Sequence, residues 1–260
     1  MRKLPLEVVG VLPAAGRATR VAPLPVSKEI FPVGFQMLAG QEGPRPKAVC
    51  QYLLEKMALA GVARAYVVLG SGKWDIPAYL EDGRVAGLNI AYLVIDESPG
   101  APFTLDAAYP FIEDKMVALG FPDILFGEQH AFGILQERYA ATGADVVIGL
   151  FPAERPQQED LVACDAQGMV QQIVIKPDAT ELTQTWGIAL WTPAFSEFMH
   201  RFVAERRDAG GREYHVGDVI QAAIDAGMPV AASTISETAF IDIGTPENLR
   251  RAVREGAADT

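Results

Sequence analysis

Val8-Val9-Gly10-Val11-Leu12-Pro13-Ala14-Ala15-Gly16-Arg17-Ala18-Thr19-Arg20 begins as an apolar, β-branched run and ends as a loop of small residues closed by an arginine. That is the order expected of a first buried strand with a ligand-binding loop at its C-terminal end. Small residues let backbone N–H groups approach phosphate oxygens, and Arg20 supplies a forked cation for outer phosphates. Taken alone, so short a motif is as often an ordinary tight turn.

Outward from this stretch the pattern alternates. Pro46 and Lys47 open a segment in which Val49, Leu53, Met57 and Ala60 share a helical face, and Gly61 stops it. Strands are expected at 65–69, 89–94, 115–119 and 145–150, with helical stretches at 74–80, 104–111 and 128–142. Beyond residue 150, segments 161–164 and 170–175 flank Asp165-Ala166-Gln167-Gly168, a tetrapeptide suited to a hairpin. A strand at 186–191, helices at 193–207 and 216–226, and a last helix at 245–253 with Thr245 as N-cap and Pro246 at its first position complete the chain. The expected fold is α/β in one domain: a mostly parallel sheet flanked by helices, residues 1–150 forming a wound core and 151–260 a more β-rich half.

Half of the 260 residues are hydrophobic and the formal charge is −11. An acidic, ordered chain is a poor non-specific ligand for nucleic acid or an anionic membrane, both of which ask for surplus Lys and Arg. If its substrates are phosphorylated, it must gather cations locally and recruit a divalent metal. Cys50 and Cys164 form no C-x-x-C or Cys/His cluster, and His130, His200 and His215 have no triad-like or metal-like spacing, so all five read as structural or surface residues. Residues 1–7 lack an export signal, no run of about eighteen apolar residues occurs, and a cytoplasmic protein is expected, with a loose tail at 255–260.

The loop continues as Pro23-Leu24-Pro25-Val26-Ser27-Lys28-Glu29-Ile30-Phe31-Pro32-Val33-Gly34, with a lysine a short way downstream. The segment from Leu12 to Val33 resembles the signature of the sugar-1-phosphate nucleotidyltransferases (sugar-nucleotide pyrophosphorylases), and Ser27-Lys28-Glu29 resembles their glucose-1-phosphate thymidylyltransferase branch. The resemblance returns in order at Asp123-Ile124-Leu125-Phe126, Ile175-Lys176-Pro177 and Trp186-Gly187-Ile188. Its most specific element is Asp242-Ile243-Gly244-Thr245-Pro246-Glu247.

The resemblance implies a Rossmann-like three-layer fold, with nucleotide held by the first half and sugar phosphate by the second. A nucleoside triphosphate and a sugar 1-phosphate, dTTP and glucose 1-phosphate in the branch named, would give a nucleotide sugar and pyrophosphate. It implies that Ala14, Ala15, Gly16, Thr19 and Thr104 bind the nucleotide. Arg20 would meet the β and γ phosphates, Lys28 the α-phosphate and Lys176 the sugar phosphate. Trp186 and Gly187 would lie at the sugar, and Asp123 and Asp242 would hold Mg²⁺. Members of the family are commonly homo-oligomers, and no interface is legible in this sequence.

Four positions depart from the pattern: Ala18 replaces a glycine, Ile175 a sugar-binding glutamate, Asp96-Glu97-Ser98-Pro99 stands where a base-reading glutamine belongs, and 36–45 is a Gly-rich insertion. They keep open a second reading, a catalytically weak paralogue that binds nucleotide or sugar nucleotide as a sensor or regulatory subunit. Transfer of a nucleotide to another acceptor, or of a sugar from a nucleotide sugar, is a more distant alternative.

Overall fold

The computed structural model describes residues 6–38, 40, 42–96, 98–207 and 213–256. Most of the N-terminal stretch read for an export signal, Ala39 and Gln41 of the insertion, Glu97, and 257–260 of the tail lie outside the described residues.

β1 (Val8–Ala14) leads through a 3₁₀ turn (Lys28–Ile30) to a hairpin of β2 (Pro32–Gln36) and β3 (Arg45–Ala48). There follow α1 (Val49–Leu59), β4 (Arg64–Gly70), α2 (Asp75–Leu80), β5 (Asn89–Ile95), α3 (Ala101–Asp106) and α4 (Tyr109–Ile112). Then come β6 (Met116–Gly120), β7 (Ile124–Leu125), α5 (Ala131–Thr142) and β8 (Val146–Pro152). A hairpin of β9 (Asp160–Cys164) and β10 (Val170–Ile175) precedes β11 (Gln184–Trp191), α6 (Pro193–Arg206), α7 (Val216–Asp225), β12 (Val230–Thr234), β13 (Ile241–Asp242) and α8 (Pro246–Gly256).

Two expectations are corrected. Pro46 and Lys47 belong to β3, so the first helix starts at Val49, and 36–45 spans the turn of a hairpin. The stretch at 104–111 is two short helices that start earlier, at Ala101, and break at Ala107-Ala108 ahead of Pro110, whose missing N–H cannot continue a helix.

The main sheet runs β5-β4-β1-β6-β11-β8-β12, and the β9–β10 hairpin adjoins β11 where Thr185 meets Leu161. β1, β4, β5 and β6 are parallel, as are β8 and β12; β11 runs antiparallel to both β6 and β8. Alternate residues of β1 divide the core. Leu12 and Ala14 pack with Leu53, Met57, Phe132 and Leu135 of α1 and α5, while Val9 and Val11 pack with Leu105, Ile112, Phe195 and Val219 on the opposite face. Each such side chain, removed from water, contributes about 1.5–3 kcal/mol before conformational entropy is set against it. These are the three layers that the alternation implied.

A small third cluster, Val33, Val49, Ile241, Ile243 and Ala252, seats α8 against the β2–β3 hairpin and α1. It matters because β13 pairs antiparallel with β7, Asp242 opposite Ile124, which carries the end of the chain back to the C-terminal edge of the parallel strands.

Candidate active site

Ligands of open α/β sheets bind outside the C-terminal ends of the parallel strands, and the loop after β1 opens there. Its close passage over β4 requires Gly70, since a Cβ at that position would lie 2.9 Å from the Ala15 carbonyl oxygen. The loop turns at Ala18, whose carbonyl accepts from the N–H groups of Val21 and Ala22, both 3.1 Å, with φ of 52°. A left-handed alanine therefore stands at the position where the resemblance asks for glycine. Gly16 and Thr19 are exposed and Ala15 half-buried, whereas the Ala14 side chain lies in the core and leaves only its backbone for a ligand.

Arg20 is 65% exposed, with Nη2 3.7 Å from Asp242 Oδ2. Lys28 is inside the protein and donates to Asp123 Oδ2. Both residues beside Lys28 are fastened. Ser27 donates through N and Oγ to Asp75 at 2.6 and 2.7 Å, and the buried Glu29 accepts from Lys73 Nζ at 2.7 Å. Burial works to lower the Lys28 ammonium, yet the carboxylates of Asp123, Glu29 and Asp242 outweigh it and hold the group above the ordinary lysine value.

The β7–β13 bridge brings Asp123 and Asp242 to one place, and the Ile243 N–H donates to the Asp123 carbonyl at 3.0 Å. Asp242 Oδ1 accepts from the Gly244 N–H at 2.7 Å. Burial, and then the charge of Asp123, raise the Asp242 carboxyl above its usual range.

A cleft of about 390 Å³ starts at these two carboxylates and runs toward the β9–β10 hairpin. Arg20, Asp123, Lys176, Trp186, Gly187 and Asp242, all named from the sequence, line it. A Cβ on Gly187 would lie 3.1 Å from Ile124 and 3.2 Å from Phe240, so glycine keeps this wall open. Lys176, at φ of 42°, projects from the end of β10, with Nζ 3.3 Å from Nε2 of His215.

Ala14, Ala15, Gly16, Thr19, Lys28 and Thr104 are not among the residues that line the cleft; Thr104 is buried and donates to Ser98 Oγ at 2.8 Å, and Ala101 lines the cleft instead. Three lining residues had no signal in the sequence beyond their polarity. His215, whose N–H donates to Asp218 Oδ2 at 2.8 Å as α7 begins, faces the cleft, unlike His200, which packs on Tyr109 and bonds Asp106. Glu159 and Asp160 also line it, and burial raises both carboxyls.

A family model described as nucleotidyl transferase matches residues 9–258. A low-salt glycan biosynthesis nucleotidyltransferase, Agl11, of Haloferax volcanii is 27% identical over 250 residues, which are 94% of this chain and 64% of the relative. A UTP–glucose-1-phosphate uridylyltransferase of Synechocystis is 24% identical over 93% of this chain and 61% of its own length. A glucose-1-phosphate thymidylyltransferase of Streptomyces griseus is 24% identical over 86% and 59%. The chain thus spans less than two thirds of the length of these relatives. A Bacillus anthracis protein assigned as a glucose-1-phosphate thymidylyltransferase and crystallised with sucrose superposes with a TM-score of 0.79 over 96% of this chain and 95% of that one, at 16% identity, and shares the fold.

Proposed function

From a chain that belongs to the nucleotidyl transferase family, we propose the transfer of a nucleotidyl group to a sugar 1-phosphate, giving a nucleotide sugar and pyrophosphate. The observation that carries this reading is the convergence of Asp123 and Asp242, each beside its own cation, at one end of a cleft whose other end holds Lys176. A phosphate oxygen of the sugar 1-phosphate attacks the α-phosphorus in line, the bond to the bridging oxygen breaks, and pyrophosphate leaves. No side chain need become a nucleophile; the protein aligns two polyanions and offsets their charge.

Backbone N–H groups of the loop at Ala15, Gly16 and Thr19 face the triphosphate, and the exposed Arg20 swings to its outer phosphates. Lys28, kept charged by its carboxylate neighbours, is the cation for the α-phosphate. Lys176 holds the sugar phosphate, with Trp186 and Gly187 shaping the sugar's wall. The two aspartates suit Mg²⁺, which takes one or two carboxylates and completes its shell with water and substrate oxygens. Burial, and then the charge of Asp123, raise the Asp242 carboxyl, and a divalent cation would favour both carboxylates in their charged form. When bound, the ion supplies charge neutralisation between the reacting phosphates.

Glucose 1-phosphate is the favoured acceptor because it stands in the names of two relatives, and dTTP the favoured donor because of Ser27-Lys28-Glu29. We place the reaction in the cytoplasm, where nucleoside triphosphates are held; among the described residues no helix is long and apolar enough to cross a membrane. The test is pyrophosphate release with Mg²⁺, each common nucleoside triphosphate and a panel of sugar 1-phosphates. Release that requires both substrates is expected. Silence across the panel with nucleotide sugar still bound would favour the sensor alternative, which makes no use of paired metal carboxylates.

A further inference from the structure

The hairpin of β9 and β10 sets Asp160 directly opposite Ile175, and directly opposed residues of an antiparallel pair share one face. Both reach Gly217 at the start of α7, where a Cβ would lie 2.6 Å from Asp160 Oδ2 and 2.6 Å from Ile175 Cδ1. Glycine there leaves the carboxylate its room. Asp160 lines the cleft beside Lys176 and His215, yet among the described residues its carboxylate oxygens accept no hydrogen bond and form no ion pair. The charge neighbours that hold it are His215 and Lys176, while Lys176 Nζ leans on His215 instead. Glu159 and Glu213 line the same end.

An ionised carboxylate only accepts, and three of them at one end of a cleft ask for a ligand that brings donors and no negative charge of its own. Beyond its phosphate, which Lys176 serves, a neutral sugar offers ring hydroxyls. We propose that Asp160 is the residue that selects the sugar: it accepts hydroxyl hydrogens from the ring of a neutral sugar 1-phosphate and, with Glu159 and Glu213, turns away sugars that carry a carboxylate. The carboxylate absent at position 175 is thus offered from the neighbouring strand. The inference rests on the sugar-phosphate reading of the cleft.

The experiment compares the full chain with Asp160→Ala, using Mg²⁺, the best triphosphate and the best neutral sugar 1-phosphate of the wild type, and the corresponding hexuronic acid 1-phosphate. A lost hydrogen bond to a charged group corresponds to about a ten- to hundredfold rise in KM for the neutral sugar phosphate. The KM for the triphosphate is expected to stay put, and the preference for the neutral sugar over the uronic acid to fall about tenfold or more. Wild-type turnover of monodeoxy sugar 1-phosphates gives a second measurement that needs no variant to fold. One deoxygenation should reproduce the loss caused by Asp160→Ala, and the variant should be blind to it. A sugar KM unchanged in the variant, or a triphosphate KM rising in step with it, would overturn the role of Asp160 while leaving the reaction intact. Absence of turnover by the wild type with every sugar 1-phosphate would instead overturn the reading beneath it.

Discussion

At the scale of the single residue, Asp242 holds the Gly244 turn and is proposed to hold a metal, and an isosteric change separates the two. In Asp242→Asn the retained Oδ1 still accepts from the Gly244 N–H, so the turn should hold. Turnover should fall by about a hundredfold or more if the proposed metal role holds; near-wild-type rates in the pyrophosphate assay would remove Asp242 from the metal site. Ala18 makes the opposite case, since its left-handed backbone favours glycine. Ala18→Gly is expected to raise stability by about 1 kcal/mol, read as a higher urea midpoint at unchanged slope. Arg20, Asp123, Lys176 and Asp242, which line the cleft, and Lys28, which bonds Asp123, were marked in the sequence by motifs that resemble a family signature. Asp160 and His215 were not. They reach the cleft through a hairpin and a helix start whose positions depend on strands far away in the chain.

Among elements, the one that aims Lys28 is a 3₁₀ turn of three residues, too short to hold itself. Its anchors are Ser27 on Asp75, the first residue of α2, and Glu29 on Lys73, in the segment between β4 and α2. Lys73→Met would leave the Glu29 carboxylate buried without its cation, and should cost about 3 kcal/mol in chemical denaturation. It should also lower kcat through the displaced turn; full stability in that variant would show the pair to be expendable. At the other flank, Thr245 caps α8 by accepting from the Asn248 N–H at 3.3 Å, and Asn248 in turn donates to the Asp242 carbonyl at 2.8 Å. Thr245→Ala should cost about 1 kcal/mol. This cap was readable from Thr-Pro alone. The two-residue strands β7 and β13 were not, since two residues carry no period, and β3 was hidden because Pro46 imitates a helix start.

For the whole molecule, burial raises the carboxyls of Glu29, Glu159, Asp160 and Asp242. A raised folded-state value means that folding is favoured by protonation, so the contribution is present at low pH and lost as pH climbs from the ordinary carboxylate value through the raised one. With a formal charge of −11 adding self-repulsion at high pH, the urea midpoint should be higher near about pH 5.5 than near about pH 8; a flat or opposite trend would mean that these groups stay well solvated. The layered architecture followed from alternating strands and helices, but the direction of β11 did not, because a buried strand reads alike either way. That reversed strand has a bearing on how the chain matures. β6 and β8 are both made before β11, the strand that lies between them, which is translated some thirty residues after β8 ends. Until it emerges from the ribosome, the nascent chain holds two open edges with nothing between them, an invitation to pair with a stranger. A messenger truncated after residue 150 would therefore yield aggregate and not a folded half.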